Sequence, residues 1–277
     1  MSAAKRFFSH PNLVLPNLPG VAAQLLAGFD DDDMTLAGLA ELIGKDPALS
    51  AKVLRVANSA RYSPLRSVAS LRDATAMLGM TTLRKLTIAT CVSGSFGVIK
   101  GLDLPRFWRH GIATAHLATE LARVSGIDAE TAYLGGLMLR TGQLLMLQVD
   151  PAGVAELEKA VHVPGQRFSL EYVRWDCAHS DVTAELARRW QFPDSLLLGF
   201  QSAGRPLEGE RFSVLGGVLH LAEVLADAID LGLPPIDTVM THQGDLVGRL
   251  RLKTSWLADR LPDPAGLAEE ARLMTGG

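Results

Sequence analysis

At 277 residues, 48% hydrophobic and 21% charged, the chain can bury the core of one large or two modest domains and is too apolar for wholesale disorder. Its net charge of −3 gives no support to a nucleic-acid or anionic-membrane partner. No run approaches the ~20 uninterrupted apolar residues of a membrane span.

The elements read as helices from the start, and the expected fold class is all-α. The acidic cluster Asp30–Asp33 reads as a polar loop feeding negative charge into the next helix N-terminus. "DPALSAKVLRVANSA" opens a helix with Asp46 as N-cap and Pro47 at the first helical position. Its apolar residues Leu49, Val53, Val56, Ala57 and Ala60 form one stripe. Ser70 caps a short helix closed by Gly79, and another helix runs from Thr81 or Thr82 to about Phe96. "GVIKGLDLP", Gly97–Pro105, is a break, followed by a long helix from Pro105 to about Val124. Asp128 caps the helix that carries "YLGGLMLRTGQLLMLQ", Tyr133–Gln148, an apolar run with a single charge, Arg140. After the turn "HVPGQ", helices are expected at Ser169–Cys177, Asp181–Trp190, Asp194–Ser202 and Arg211–Asp230, with two or three weaker ones in the tail.

Chemistry is sparse. His110 and His116, six apart, lie about 240° apart around a helix and cannot chelate one ion. His116 with Glu120, and His220 with Glu223, have the spacing of ligand pairs, a spacing common by chance. "SGSFG", Ser93–Gly97, lacks the strand-to-helix context of a nucleophile elbow, and no phosphate-binding glycine loop is present. Gly135-Gly136 and Gly216-Gly217 suit close helix packing. Cys91 and Cys177 are far apart without metal-ligand spacing, which suits free thiols in a reducing compartment. With no signal-peptide core at the N-terminus, a cytoplasmic location is expected.

"LPNLPGVAAQLL", "LAELIGKDPALSAKVLRVANSARYS" and "VASLRDATAMLGMTTLRKLTIATC" resemble the HDOD domain, a bacterial signalling module related to the HD metal-dependent phosphohydrolases. "FWRHGIATAHLATELA", "AYLGGLMLRTG" and "AHSDVTAELARRWQFPDSL" continue the resemblance. It implies an N-terminal lead at 1–14, an HDOD domain at 15–230 with lobes of about 15–100 and 104–230, and a helical extension at 231–277. Gly79, Trp190 and Pro193 fall in the family pattern. Asn58 and Ser59, in "ANSA", are expected to be structural, fixing how the lobes meet, and Trp108 and Trp190 are expected as core anchors.

The resemblance also implies which catalytic features have gone. The first histidine of the HD pattern falls on His110, and His179 matches a histidine common in the family. The His-Asp doublet of G-L-L-H-D-I-G falls on Leu139 and Arg140, a later His-His pair on Ala203 and Gly204, and a terminal aspartate on Glu223. A guanidinium only donates hydrogen bonds and repels a cation. Arg140 is therefore expected either to replace the metal's charge by pairing with a carboxylate, or to bind an anion together with His110 and His179. The implied function is a non-catalytic signalling module without cofactor, coupling by differential affinity for a protein partner. The alternatives are a residual phosphohydrolase acting on a signalling nucleotide and a nucleotide sensor without hydrolysis.

Overall fold

The computed structural model describes residues 2–27, 34–58, 68–97, 99, 102–209 and 211–275. Asp30–Asp33, Ser59 and part of the Gly97–Pro105 break lie outside them. The described residues form helices and no strand, as the all-α expectation requires. None of these helices is long and apolar enough to cross a membrane.

The first helices are α1 (Ala3–Phe7), α2 (Gly20–Ala27), α3 (Leu36–Gly44), α4 (Pro47–Ala57) and α5 (Leu71–Ser95). They are followed by α6 (Leu104–Ser125), α7 (Ala129–Met138), α8 (Thr141–Val149), α9 (Pro151–Ala160), α10 (Gln166–Trp175) and α11 (His179–Arg189). The last are α12 (Asp194–Ala203), α13 (Val214–Asp230), α14 (Pro235–His242), α15 (Gly244–Arg249) and, after two single-turn 3-10 segments, α16 (Pro264–Thr275). The chain divides into two compact units, one of residues 1–15 and 110–262, the other of residues 16–109 and 263–277.

In the second of these units α5 runs against α2, α3 and α4, and α16 lies on α4 and α5. Leu39, Ile43, Val53, Val56, Leu83 and Leu86 supply its core. Local chemistry sets the helix ends. Asp46 accepts from the N–H groups of Ala48 and Leu49 at 2.9 and 3.1 Å, with Pro47 opening α4. At the other end the Asn58 amide donates to the carbonyls of Leu54 and Val68 and accepts from the Val68 N–H at 2.6 Å. Gly79, at φ 75° and ψ 171°, kinks α5 where the sequence places a helix end, in a conformation open essentially only to glycine. Trp108 is fully buried, its ring near Phe96 and Phe107.

In the other unit α13 packs against α7, α12 and α14, and α11 against α8 and α12. Several expectations need correction here. The apolar run Tyr133–Gln148 is two helices, because the chain turns at Leu139–Arg140 between α7 and α8. Helix α10 begins at Gln166, after Gly165 in the left-handed region, and stops at Asp176, also left-handed at φ 60°. Helix α11 begins earlier than expected because the Asp181 carboxylate reaches back to the Ala178 N–H at 2.9 Å. Helix α13 begins at Val214, where Ser213 caps it through the Gly216 N–H. Trp190 is half-buried at the end of α11 and stacks on Phe192, so it is no core anchor. Pro193 occupies the N-cap of α12.

Candidate functional site: a buried cluster around Arg140

The turn that presents Arg140 is fixed by one hydroxyl. Thr183 on α11 donates to the Leu139 carbonyl and accepts from the Gly142 N–H, both at 2.8 Å. This satisfies backbone groups freed by the break between α7 and α8. The approach of α8 to α11 requires a glycine, since a Cβ on Gly142 would sit 2.1 Å from the His179 carbonyl. Arg140, at the N-cap of α8, is thereby aimed into the interior with its side chain 11% exposed.

Its partners come from α13. Nε donates to Glu223 Oε1 at 2.6 Å and Nη2 to Asp227 Oδ1 at 2.5 Å. Such charge-assisted bonds offset the cost of burying each charge. Burial alone would lower the Arg140 pKa, but the two carboxylates outweigh it and raise it, so the group is permanently cationic. Burial likewise opposes ionisation of Glu223, yet Arg140, followed by His179 and His110, holds its carboxyl well below the ordinary value. Asp227 has a second duty, accepting the Gly165 N–H at 2.9 Å with its other oxygen. One carboxylate thus ties the start of α10 to Arg140.

Two histidines complete the cluster. On α6, His110 turns Nδ1 to Asp230 Oδ2 at 2.9 Å; on α11, His179 turns Nδ1 to Glu171 Oε2 at 2.7 Å. A carboxylate only accepts, so Nδ1 carries the proton in each ring. Each Nε2 then faces Glu223: His110 Nε2 is 3.9 Å from Oε2 and His179 Nε2 is 3.5 Å from Oε1. Neither Nε2, nor Glu223 Oε2, meets a protein hydrogen-bond partner. Burial and Arg140 depress the His110 pKa, but Asp230 and Glu223 prevail and raise it. Phe168 stacks with two imidazoles, its ring 4.7 Å from that of His179 and 5.0 Å from that of His220. His220 faces the Ala203 carbonyl at 2.7 Å and, mainly through burial, has a lowered pKa.

The four residues singled out in the sequence, His110, Arg140, His179 and Glu223, therefore converge from four parts of the chain. Sequence reasoning missed Asp227, Asp230 and Glu171. The first two had a signal: Glu223, Asp227 and Asp230 recur at i, i+4 and i+7 on a helix that is apolar but for these and His220, and so share one face. The remaining pairs separate. His116 sits edge-on to Tyr133, while Glu120 engages Arg123 and Arg260. Glu223 faces Arg140, away from the Nδ1 contact of His220. At the positions of the lost His-His pair, Ala203 contributes only its carbonyl, and a Cβ on Gly204 would meet the Tyr172 hydroxyl at 2.6 Å.

The donor atoms of His110, Glu223 and Asp227 lie within 4.8 Å of one another, a grouping that would suit a metal ion. The complete set does not fit one. Arg140 holds an oxygen of each carboxylate and places a fixed positive charge among the donors. Leu139 offers no donor atom.

The HDOD domain profile matches residues 15–203. Among solved structures, a protein of Shewanella amazonensis SB2B that carries the provisional name of a phosphohydrolase is 30% identical, with a TM-score of 0.73 over 99% of this chain and 98% of its own. An HDOD domain protein of unknown function from Geobacter sulfurreducens has a TM-score of 0.73 at 20% identity, over 97% of both chains. An uncharacterised protein of Treponema pallidum (strain Nichols) is 25% identical over 190 residues, 66% of this chain. The chain covers 36% of that protein's length. By the profile match over residues 15–203, this chain belongs to the HDOD domain family.

Proposed function

We propose that this chain is a non-catalytic HDOD regulatory module that acts by binding a protein partner in a signalling pathway. The observation that carries the reading is the ion-paired bridge from Arg140 to Glu223 and Asp227. A guanidinium supplies the positive charge these carboxylates require, and it can neither polarise a phosphoryl oxygen as a Lewis acid nor generate a metal-bound hydroxide. A module of this kind couples by binding two conformations of itself, or of its partner, with different affinity. The buried, unpaired thiols Cys91 and Cys177, with pKa values pushed up to about 12 chiefly by burial, suit a reducing compartment, which supports a cytoplasmic location. The pairing of Arg140 favours the structural role for this residue over an anion site, since its charge is met without a ligand.

The test is elemental analysis of protein purified without chelator, alongside an assay for Mn2+-dependent hydrolysis of bis(p-nitrophenyl) phosphate. No stoichiometric metal and no turnover are expected. A residual phosphohydrolase is the second reading, favoured by the provisional name of the 30% identical Shewanella protein. Metal-dependent turnover that disappears in His110→Ala would establish it in place of the first.

A further inference from the structure

We infer that Arg140 is a built-in competitor that keeps a preorganised divalent-cation site closed, and that neutralising this one residue opens the site to a transition-metal ion. The inference rests on the reading of Arg140 as a permanent internal cation.

Three observations carry it. First, His110 and His179 are each oriented by a carboxylate on Nδ1, Asp230 and Glu171 respectively, leaving Nε2 to face the cluster. This is how outer carboxylates hold a histidine that ligates through its other nitrogen. Second, His110 Nε2, His179 Nε2 and Glu223 Oε2 are all buried and meet no protein hydrogen-bond partner, an expensive arrangement for three polar atoms on one cluster. Third, the donor atoms of His110, Glu223 and Asp227 lie within 4.8 Å of one another, close to the spacing around a single ion, with His179 Nε2 outside that group. His110 Nε2 lies 3.9 Å from Glu223 Oε2 and 4.0 Å from Asp227 Oδ1, and His179 Nε2 lies 3.5 Å from Glu223 Oε1. Donors at about 2.0–2.1 Å around a tetrahedral ion stand roughly 3.3 Å apart, so small rotations close the set.

What opposes the ion is charge and occupancy. Arg140 Nε and Nη2 already hold Glu223 Oε1 and Asp227 Oδ1. Truncation at Cβ leaves two carboxylates and the His110 imidazole nitrogen around the space of the guanidinium, a mixed N/O set that takes Mn2+, Fe2+ or Zn2+. The same truncation leaves the carboxylates repelling one another, which strengthens the demand for a cation.

The experiment uses the full chain as wild type and as Arg140→Ala, each stripped with chelator, desalted and titrated with Mn2+. Binding is followed by the paramagnetic resonance signal of free Mn2+ and by the shift in melting temperature. Arg140→Ala is expected to bind one ion at least tenfold more tightly than wild type and to melt higher when loaded. Adding His110→Ala or Glu223→Gln should weaken binding more than tenfold, and guanidinium ion at a non-denaturing concentration should compete with Mn2+. Arg140→Gln, which retains more volume, is measured in parallel. If neither variant folds alone, recovery of folded protein only when Mn2+ is supplied supports the inference, and failure to recover it overturns it. Folded variants as metal-free as wild type overturn the inference and leave the proposed function standing. Tight Mn2+ binding by wild type overturns both.

Discussion

Both compact units cap their helices with polar side chains, but one of them adds a buried ionic cluster. In the unit of residues 16–109 and 263–277, Asp46, Asn58 and Ser70 act at helix ends, closing backbone groups around an apolar core. In the other unit, Arg140, His110, His179, Glu171, Glu223 and Asp227 lie within the fold and pair with one another, leaving His110 Nε2, His179 Nε2 and Glu223 Oε2 without a protein hydrogen bond. A cap is a local device, readable from a few neighbouring residues and replaceable at modest cost. A buried ionic cluster depends on residues from distant parts of the chain, and removing one member strands the others.

This contrast sets the size of the expected mutational effects. The largest is Arg140→Met, which leaves Glu223 and Asp227 buried without their cation. A loss of about 3–5 kcal/mol is expected in denaturant unfolding. An unchanged or raised melting temperature would break the contrast, because it would mean that Arg140 is held there for something other than pairing. Asn58→Ala should cost about 2 kcal/mol, since it strands both backbone groups of buried Val68. That places it between a cap and a cluster residue, and a negligible loss would show that water replaces the amide. Asp46→Ala removes the N-cap of α4 at an expected cost of about 1 kcal/mol, with Asp46→Asn restoring most of it.

The smallest effect is a slope. The His110 pKa is raised above its ordinary 6.5 in the folded state, so its contribution is complete below pH 6.5 and disappears as pH rises through the raised value. The stability of wild type relative to His110→Gln should accordingly be greatest below pH 6.5 and shrink above it. His220 shifts the other way, but it is present in both proteins and cancels in the difference. A difference that grows with pH would mean that the ring is held neutral by its surroundings.

Legibility in the sequence follows the same division. Asp46-Pro47, Ser70, Asp128 and the long helix after Pro105 could be placed because a helix end is determined by the four or five residues around it. The turn at Leu139–Arg140 could not be placed, because the hydroxyl that stabilises it belongs to Thr183, more than forty positions away in the chain. The composition of the run Tyr133–Gln148 favours an unbroken helix, and only tertiary contact breaks it. At the site, the lost His-Asp doublet was visible through Leu139 and Arg140, and the family pattern pointed to His110, His179 and Glu223. The partners of those residues were less visible. Glu171 serves His179 from the preceding helix, and Asp230 serves His110 across most of the unit, pairings that no local spacing encodes.

The charge at the centre of the cluster comes from a side chain. It is delivered with the polypeptide at synthesis, in fixed stoichiometry, and cannot be chelated away, exchanged for a competing element or oxidised to another valence. The charge balance of such a cluster is complete once the chain has folded, whatever the supply of metal. Under the regulatory role proposed above, binding to a partner would not depend on the supply of a trace metal.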